Sequence, residues 1–122
     1  MVRVLSRIID YRELVEQACR AIRADPRLGP ALGIARATAR DPLKAALTML
    51  VGETLARRAE RAVAGFVAFV GPHRLTSDEY DRLAHYVLSA ALARQVGPDR
   101  LILIGTTLTS VRAAVLPGQP RR

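Results

Sequence analysis

The chain has 122 residues, half of them apolar but only 4% aromatic, and carries 18 arginines and one lysine against 11 acidic residues, a net charge of +8. That length fits one domain with a thin core. The single cysteine, Cys19, excludes an internal disulfide. The longest apolar run, Ala62 to Val70, is too short to span a bilayer. A charge excess of this size in a helical chain points to a polyanionic partner.

The first nine residues alternate loosely and are expected to be a short arm or a helical turn. Charge interrupts them too early for the apolar segment of a signal peptide, so the protein is expected to be made in the cytoplasm. Asp10, with Glu13 three residues on, reads as a helix cap. A helix is expected from about Tyr11 to Ala24, with Leu14, Val15, Ala18 and Ile22 on its apolar stripe and Cys19 as a small buried hydrophobe. Pro26, Gly29 and Pro30 break it. A shorter, alanine-rich helix is expected from Ala31 to Arg40.

Asp41-Pro42 restarts the helical pattern, with a capping residue followed by proline at the first helical position. The pattern then continues to Val70, which predicts one long helix of roughly 43 Å at about 1.5 Å per residue. Gly52 and Gly65 lie inside it, as helix contacts or as a kink. The many small residues along it suit burial in an assembly. Gly71-Pro72 ends this helix. Thr76 and Glu79 form a capping box, and Leu75 and Tyr80 a hydrophobic staple, for a helix running to about Val96. After Gly97-Pro98, the run Leu101 to Ile104 reads as a strand in isolation. Leu101, Ile104, Leu108, Val111 and Val115, however, recur at helical steps, which favours a helix to about Leu116. The expected fold is all-α: a bundle of four to five helices (45–122) preceded by a basic helical arm (1–44), forming one structural unit.

Motifs for catalysis are missing. His73 and His85 are the only histidines and no second ligand pairs with either at metal-binding spacing; Asp81, four residues before His85, reads as its ion-pair partner. No serine lies in a nucleophile-elbow context, and Gly105-Thr106-Thr107 lacks the lysine of a phosphate loop. Asp78, Glu79 and Asp81 crowd a helix start, where the helix dipole accounts for them. The chain is expected not to be an enzyme and to need no cofactor or metal.

The arginines remain. Arg20, Arg23, Arg27, Arg36, Arg40 and Lys44 have only Asp25 and Asp41 among them, so neutralisation by sequence neighbours fails there. Arg57, Arg58 and Arg61 cluster within the predicted long helix, with Glu53 placed to pair with Arg57. These nine residues are the candidate nucleic-acid site. Arginine's planar fork grips phosphate bidentately, and no aromatic residues interleave with the basic ones to stack bases. Contacts are therefore expected to the backbone, with little sequence readout. The competing expectation is a protein-interaction module, whose arginines would be satisfied by acids of the same chain.

The stretch Val63-Ala64-Gly65-Phe66-Val67-Ala68-Phe69-Val70, the Gly-Pro turn and Leu75 to Leu88 resemble the C-terminal helical hairpin of the major capsid proteins of filamentous and rod-shaped viruses of hyperthermophilic archaea. The basic stretch Arg20 to Lys44 resembles their DNA-wrapping half in kind. The resemblance covers about two thirds of the chain and rests on helix sizes and small residues. It implies a virion capsid subunit that pairs with itself or a paralogous subunit in a helical filament. Such subunits wrap linear double-stranded DNA in the A form through non-specific arginine–phosphate contacts. The small helical subunits of CRISPR effector complexes are a second group of similar kind, following a nucleic-acid backbone.

Overall fold

The computed structural model describes residues 2–34 and 41–116, with side chains at 11–34 and 41–116. Among these residues the chain forms helices α1 (Val2–Ala24), α2 (Leu28–Ala31), α3 (Pro42–Leu55), α4 (Ala59–Val70), α5 (Ser77–Ala93) and α6 (Pro98–Val115), with a 3-10 turn at Gly71–His73 and no strand. The fold is all-α, with a count close to that expected. No helix among the described residues is long and apolar enough to cross a membrane.

Three boundaries differ from the sequence reading. Helix α1 begins at Val2 and runs through Asp10, which is therefore interior and not a cap. Residues 2–10 contain neither glycine nor proline, so nothing local stops the helix. The helix expected over 31–40 is a single turn at Leu28–Ala31 that ends through Gly33 in the left-handed region (φ 67°); residues 35–40, the rest of that expectation, lie outside the described residues.

The predicted long helix is two helices. α3 stops at Leu55, Arg57 takes a left-handed conformation (φ 65°), and α4 starts at Ala59. The N–H of Arg58 donates to Glu53 O at 2.8 Å and the N–H of Arg57 to Thr54 O at 3.1 Å. This is the paired hydrogen-bond pattern of a Schellman cap. Glycine normally occupies the left-handed position, and its absence hid the break. Gly65 lies where α3 and α4 meet: a Cβ there would run into the end of the Met49 side chain.

Other starts follow the sequence. Asp41 accepts from the Lys44 amide at 3.0 Å with Pro42 in the first turn. Thr76 and Glu79 complete a reciprocal capping box, and the staple residues Leu75 and Tyr80 are both buried. α6 is helical throughout.

One apolar cluster joins all six helices, from Leu14, Ala18 and Ile22 of α1, Leu43, Leu47 and Leu50 of α3, and Phe66 of α4 to Leu83 and Val87 of α5 and Ile104, Leu108 and Val111 of α6. Residues 14–34, assigned by sequence to the arm, supply Leu28, Leu32 and Ile34 to the same cluster. α1 lies against α3 and α5, α3 and α4 form a hairpin, and α6 covers α3, α4 and α5. Cross-helix contacts fix the directions. Glu16–Lys44 and Arg23–Asp41 set α1 antiparallel to α3, and Glu13–Arg94 and Asp25–Arg82 set it antiparallel to α5. Cys19 is buried at 1% exposure, and burial pushes its thiol up to about 11.

Two polar contacts lie inside this core. The Thr54 hydroxyl bonds the Thr107 hydroxyl at 3.1 Å between α3 and α6, and the Tyr80 hydroxyl donates to Leu108 O at 2.7 Å between α5 and α6. Each satisfies a group whose burial alone is unfavourable.

Candidate nucleic-acid interface

The nine candidate residues separate into two groups. In the N-terminal group, Arg23 is half-buried in an ion pair with Asp41. Arg27 is exposed, 3.8 Å from Asp78 of α5. Lys44 pairs with Glu16 of α1 at 2.5 Å, an attraction that lowers the Glu16 carboxyl and raises the Lys44 amine from their ordinary values. Arg20 is exposed and makes no ion pair among the described residues. Arg36 and Arg40 lie outside the described residues. Neutralisation that fails along the sequence is thus supplied from other helices for Arg27 and Lys44, by Asp78 and Glu16, while Arg23 takes the local acid Asp41.

Asp25, the other local acid, is committed elsewhere. Its carboxylate is 1% exposed and accepts the Tyr86 hydroxyl at 2.5 Å, the Arg27 and Leu28 amides at 2.8 and 3.0 Å, and Arg82 at 2.9 Å. The Tyr86 hydroxyl and the Leu28 amide hold it well below the usual carboxylate range. It ties the end of α1 to α2 and α5. The proline-glycine break beside it gave no sign of this role.

The second group sits at the α3–α4 turn. Arg57 and Arg61 are exposed and make no ion pair among the described residues, while Arg58 Nε bonds Glu53 at 2.5 Å. The expected Glu53–Arg57 pair is replaced by Glu53–Arg58, because the left-handed Arg57 turns the chain back. For the same reason Arg57 and Arg61 are not one turn apart on a single helix. They flank the start of α4, and with Arg58, Ala59 and Glu60 they line a depression of about 380 Å³.

A second depression, of about 450 Å³, meets the first at Arg57. Leu55, Pro98, Asp99, Arg100 and Leu103 form its walls. Arg100 is exposed and unpaired among the described residues. Sequence reading missed it because 43 residues separate it from Arg57, and only packing of α6 against α3 brings them together. Neither α4 nor α6 has a side-chain cap, so no capping side chain offsets the partial positive charge at the start of either helix. The chain matches no protein-family model, no curated protein and no solved structure.

This end of the bundle can hold an anion by charge and by bidentate hydrogen bonds. Several polar side chains elsewhere are engaged structurally. Asp81 is taken by Arg112 at 2.8 Å and not by His85, whose Nε2 lies 3.3 Å from Ser89 Oγ on the exposed face of α5. No carboxylate orients that ring among the described residues. Thr109 bonds back to Gly105 O at 2.9 Å. No group of three or more histidine, cysteine, aspartate or glutamate side chains among the described residues is placed to hold a metal ion.

Proposed function

We propose that this chain is a structural, non-enzymatic nucleic-acid-packaging protein that holds the sugar–phosphate backbone through the arginines at the α3–α4 turn. One observation carries this reading: Arg57, Arg61 and Arg100 are exposed together at one end of the bundle with no carboxylate of the described residues paired to them. Six of the acids are spent on ion pairs elsewhere in the molecule and Glu53 on Arg58 at the turn, while the two carboxylates that line the depressions, Glu60 and Asp99, are outnumbered by these arginines. The positive charge left over is therefore directed outward at a place where phosphates can reach it. Contacts of this kind are to backbone and are weakened by salt.

The narrower form is a virion capsid subunit, assembling with itself or a paralogous subunit on linear double-stranded DNA held in the A form. Its support is the resemblance to archaeal virus capsid proteins and the small residues Ala45, Gly52, Ala64 and Ala68 exposed on α3 and α4, which allow close approach by a neighbouring subunit. The second reading is a protein-interaction module. The ion pairs of Arg23, Arg27 and Lys44 with acids of the same chain favour it, since they withdraw the N-terminal half of the candidate site from an outside polyanion.

Negative-stain electron microscopy of the protein mixed with linear duplex DNA, and separately with single-stranded RNA, tests the packaging reading. Regular filaments on duplex DNA, abolished by Arg57→Glu with Arg61→Glu, are the expected result. Filaments unaffected by that pair would remove the turn from the interface. Absence of filaments and of salt-sensitive binding on either polymer would leave the interaction module.

A further inference from the structure

Glycine inside a helix costs stability, so one with no packing reason within the fold points to close approach from outside. Gly52 of α3 is such a residue: it is exposed, and a Cβ there would meet nothing within 4 Å. Beside it, α1 and α3 leave a groove of about 480 Å³. The buried Val15 and Val51 give it an apolar floor with Gly52, and Arg12, Glu16 and Lys44 stand at its edge. Glu16 and Lys44 pair with each other, whereas Arg12 makes no ion pair among the described residues. Three large apolar side chains are exposed among the described residues: Met49, Leu92 and Ile102. The end of Met49 lies against Gly65. Leu92 and Ile102 flank the α5–α6 turn, and Ile102, at 65%, is the most exposed of the three. Asp99, Ile102, Thr106 and Thr109 recur at helical steps and are all exposed, so they form the outward stripe of α6. Asp99 makes no ion pair among the described residues. Because α3 and α5 each pack against both α1 and α6, this stripe faces away from the α1–α3 groove. An apolar knob and an apolar groove thus lie on different sides of one chain, and the unpaired charges beside them are of opposite sign.

We infer that Ile102 of one molecule seats in the α1–α3 groove of a second copy, with Asp99 of the first molecule facing Arg12 of the second. Knob and groove lie on different sides, so one two-fold axis cannot fill both grooves of a pair. The contact is therefore head-to-tail and adds copies in a row. Burial of the isoleucine against the apolar floor drives it. The net charge of +8 on each copy opposes it, and salt screens that repulsion beyond about 8 Å under physiological conditions. Arg100 is two positions from Ile102, about 200° around the helix, so a seated Ile102 leaves the phosphate-gripping side of α6 open. The contact holds with or without the phosphate grip, and it supplies the subunit-to-subunit joint that the packaging reading calls for.

Sedimentation velocity of the full chain without nucleic acid, at physiological salt and from roughly 10 μM to 1 mM, tests this. Species that grow past the dimer as concentration rises are expected. Ile102→Glu removes the knob and Gly52→Leu fills the groove, and each should weaken association about tenfold or more. Neither is expected to harm the fold: Ile102 is exposed, and Gly52→Leu exchanges a poor helix former for a good one where a Cβ has room. Thermal unfolding checks both, and if one variant is unfolded the other decides the matter. Equal amounts of the two variants should form a dimer that grows no further, since one keeps only its groove and the other only its knob. A wild-type chain that stays monomeric or stops at a dimer would overturn the inference. So would association unchanged by either folded variant, or a mixture of folded variants that does not pair. Each of these results leaves the phosphate grip standing, because that is read separately on duplex DNA.

Discussion

Asp25 does the most structural work of any single side chain here. Four donors converge on its carboxylate from two parts of the fold: the Arg27 and Leu28 amides at the start of α2, and the Tyr86 hydroxyl and Arg82 of α5. Those donors favour the ionised form, so the folded-state pKa lies below the unfolded value of about 3.9. A carboxyl depressed in this way adds stability that is fully present above about pH 4 and is lost as pH falls toward the folded pKa. Asp25→Asn should therefore cost about 2 kcal/mol at neutral pH, by leaving Arg82 without its partner and weakening the shared acceptor. Urea unfolding from pH 7 down to pH 2 should show the wild-type advantage narrowing below about pH 4. A constant difference across that range would mean that the carboxylate charge is not what holds the corner.

At the scale of elements, the starts of α3 and α5 were legible, whereas the starts of α1, α2 and α4 and the ends of α3 and α5 were not. Asp41-Pro42 and Thr76 with Glu79 carry their own chemistry within a few residues, and each marks the observed start; α6 instead starts at Pro98, so that Asp99, which the sequence offers as its cap, lies inside the first turn. The end of α3 carries no such mark. Arg57 stands at a left-handed position that usually takes glycine, and Gln95 does the same after α5 (φ 60°), which ends that helix at Ala93 and not near Val96. Gly52 and Gly65, the residues that drew attention in the sequence, are not at the break. Gly65 instead admits the Met49 side chain between α3 and α4. Relief of the Cβ strain in the left-handed region predicts that Arg57→Gly stabilises the fold by about 1 kcal/mol in chemical denaturation. The same variant should bind polynucleotide more weakly, because it removes one of the exposed arginines. Destabilisation by Arg57→Gly would show that the arginine side chain holds the turn together.

For the whole molecule, charge divides between internal ties and arginines left to solvent; Arg12, Arg20 and Arg74 are exposed singly, and three others gather at one end. Arg23, Arg27 and Lys44 reach acids of α3, α5 and α1, whereas Arg57, Arg61 and Arg100 are left to solvent. Surface ion pairs such as Arg27–Asp78 contribute little to stability, typically below about 1 kcal/mol. Their consequence is to lower the local potential on that side. The salt dependence of binding should report this division. Replacing Arg57 and Arg61 by glutamine should reduce the slope of log affinity against log salt by about 1.4 to 1.8 for two lost phosphate contacts. Replacing Arg27 and Lys44 by glutamine should change it by much less than one. Equal changes from the two pairs would place the interface along the whole basic surface.

The sequence alone determined the all-α class, the apolar stripes of α1 and α6, the burial of Cys19 and the starts of α3 and α5. These depend on periodicity and on capping residues that act within a few positions of one another. It also determined the charge excess, though not its placement. Tertiary structure decided which arginines remain outward, because the acids that neutralise Arg27 and Lys44 lie 51 and 28 residues away and meet them only through packing. It also decided that Arg57 and Arg100 share one end of the bundle. A Schellman cap built without glycine has no local sequence mark, since its two hydrogen bonds run between backbone groups common to every residue.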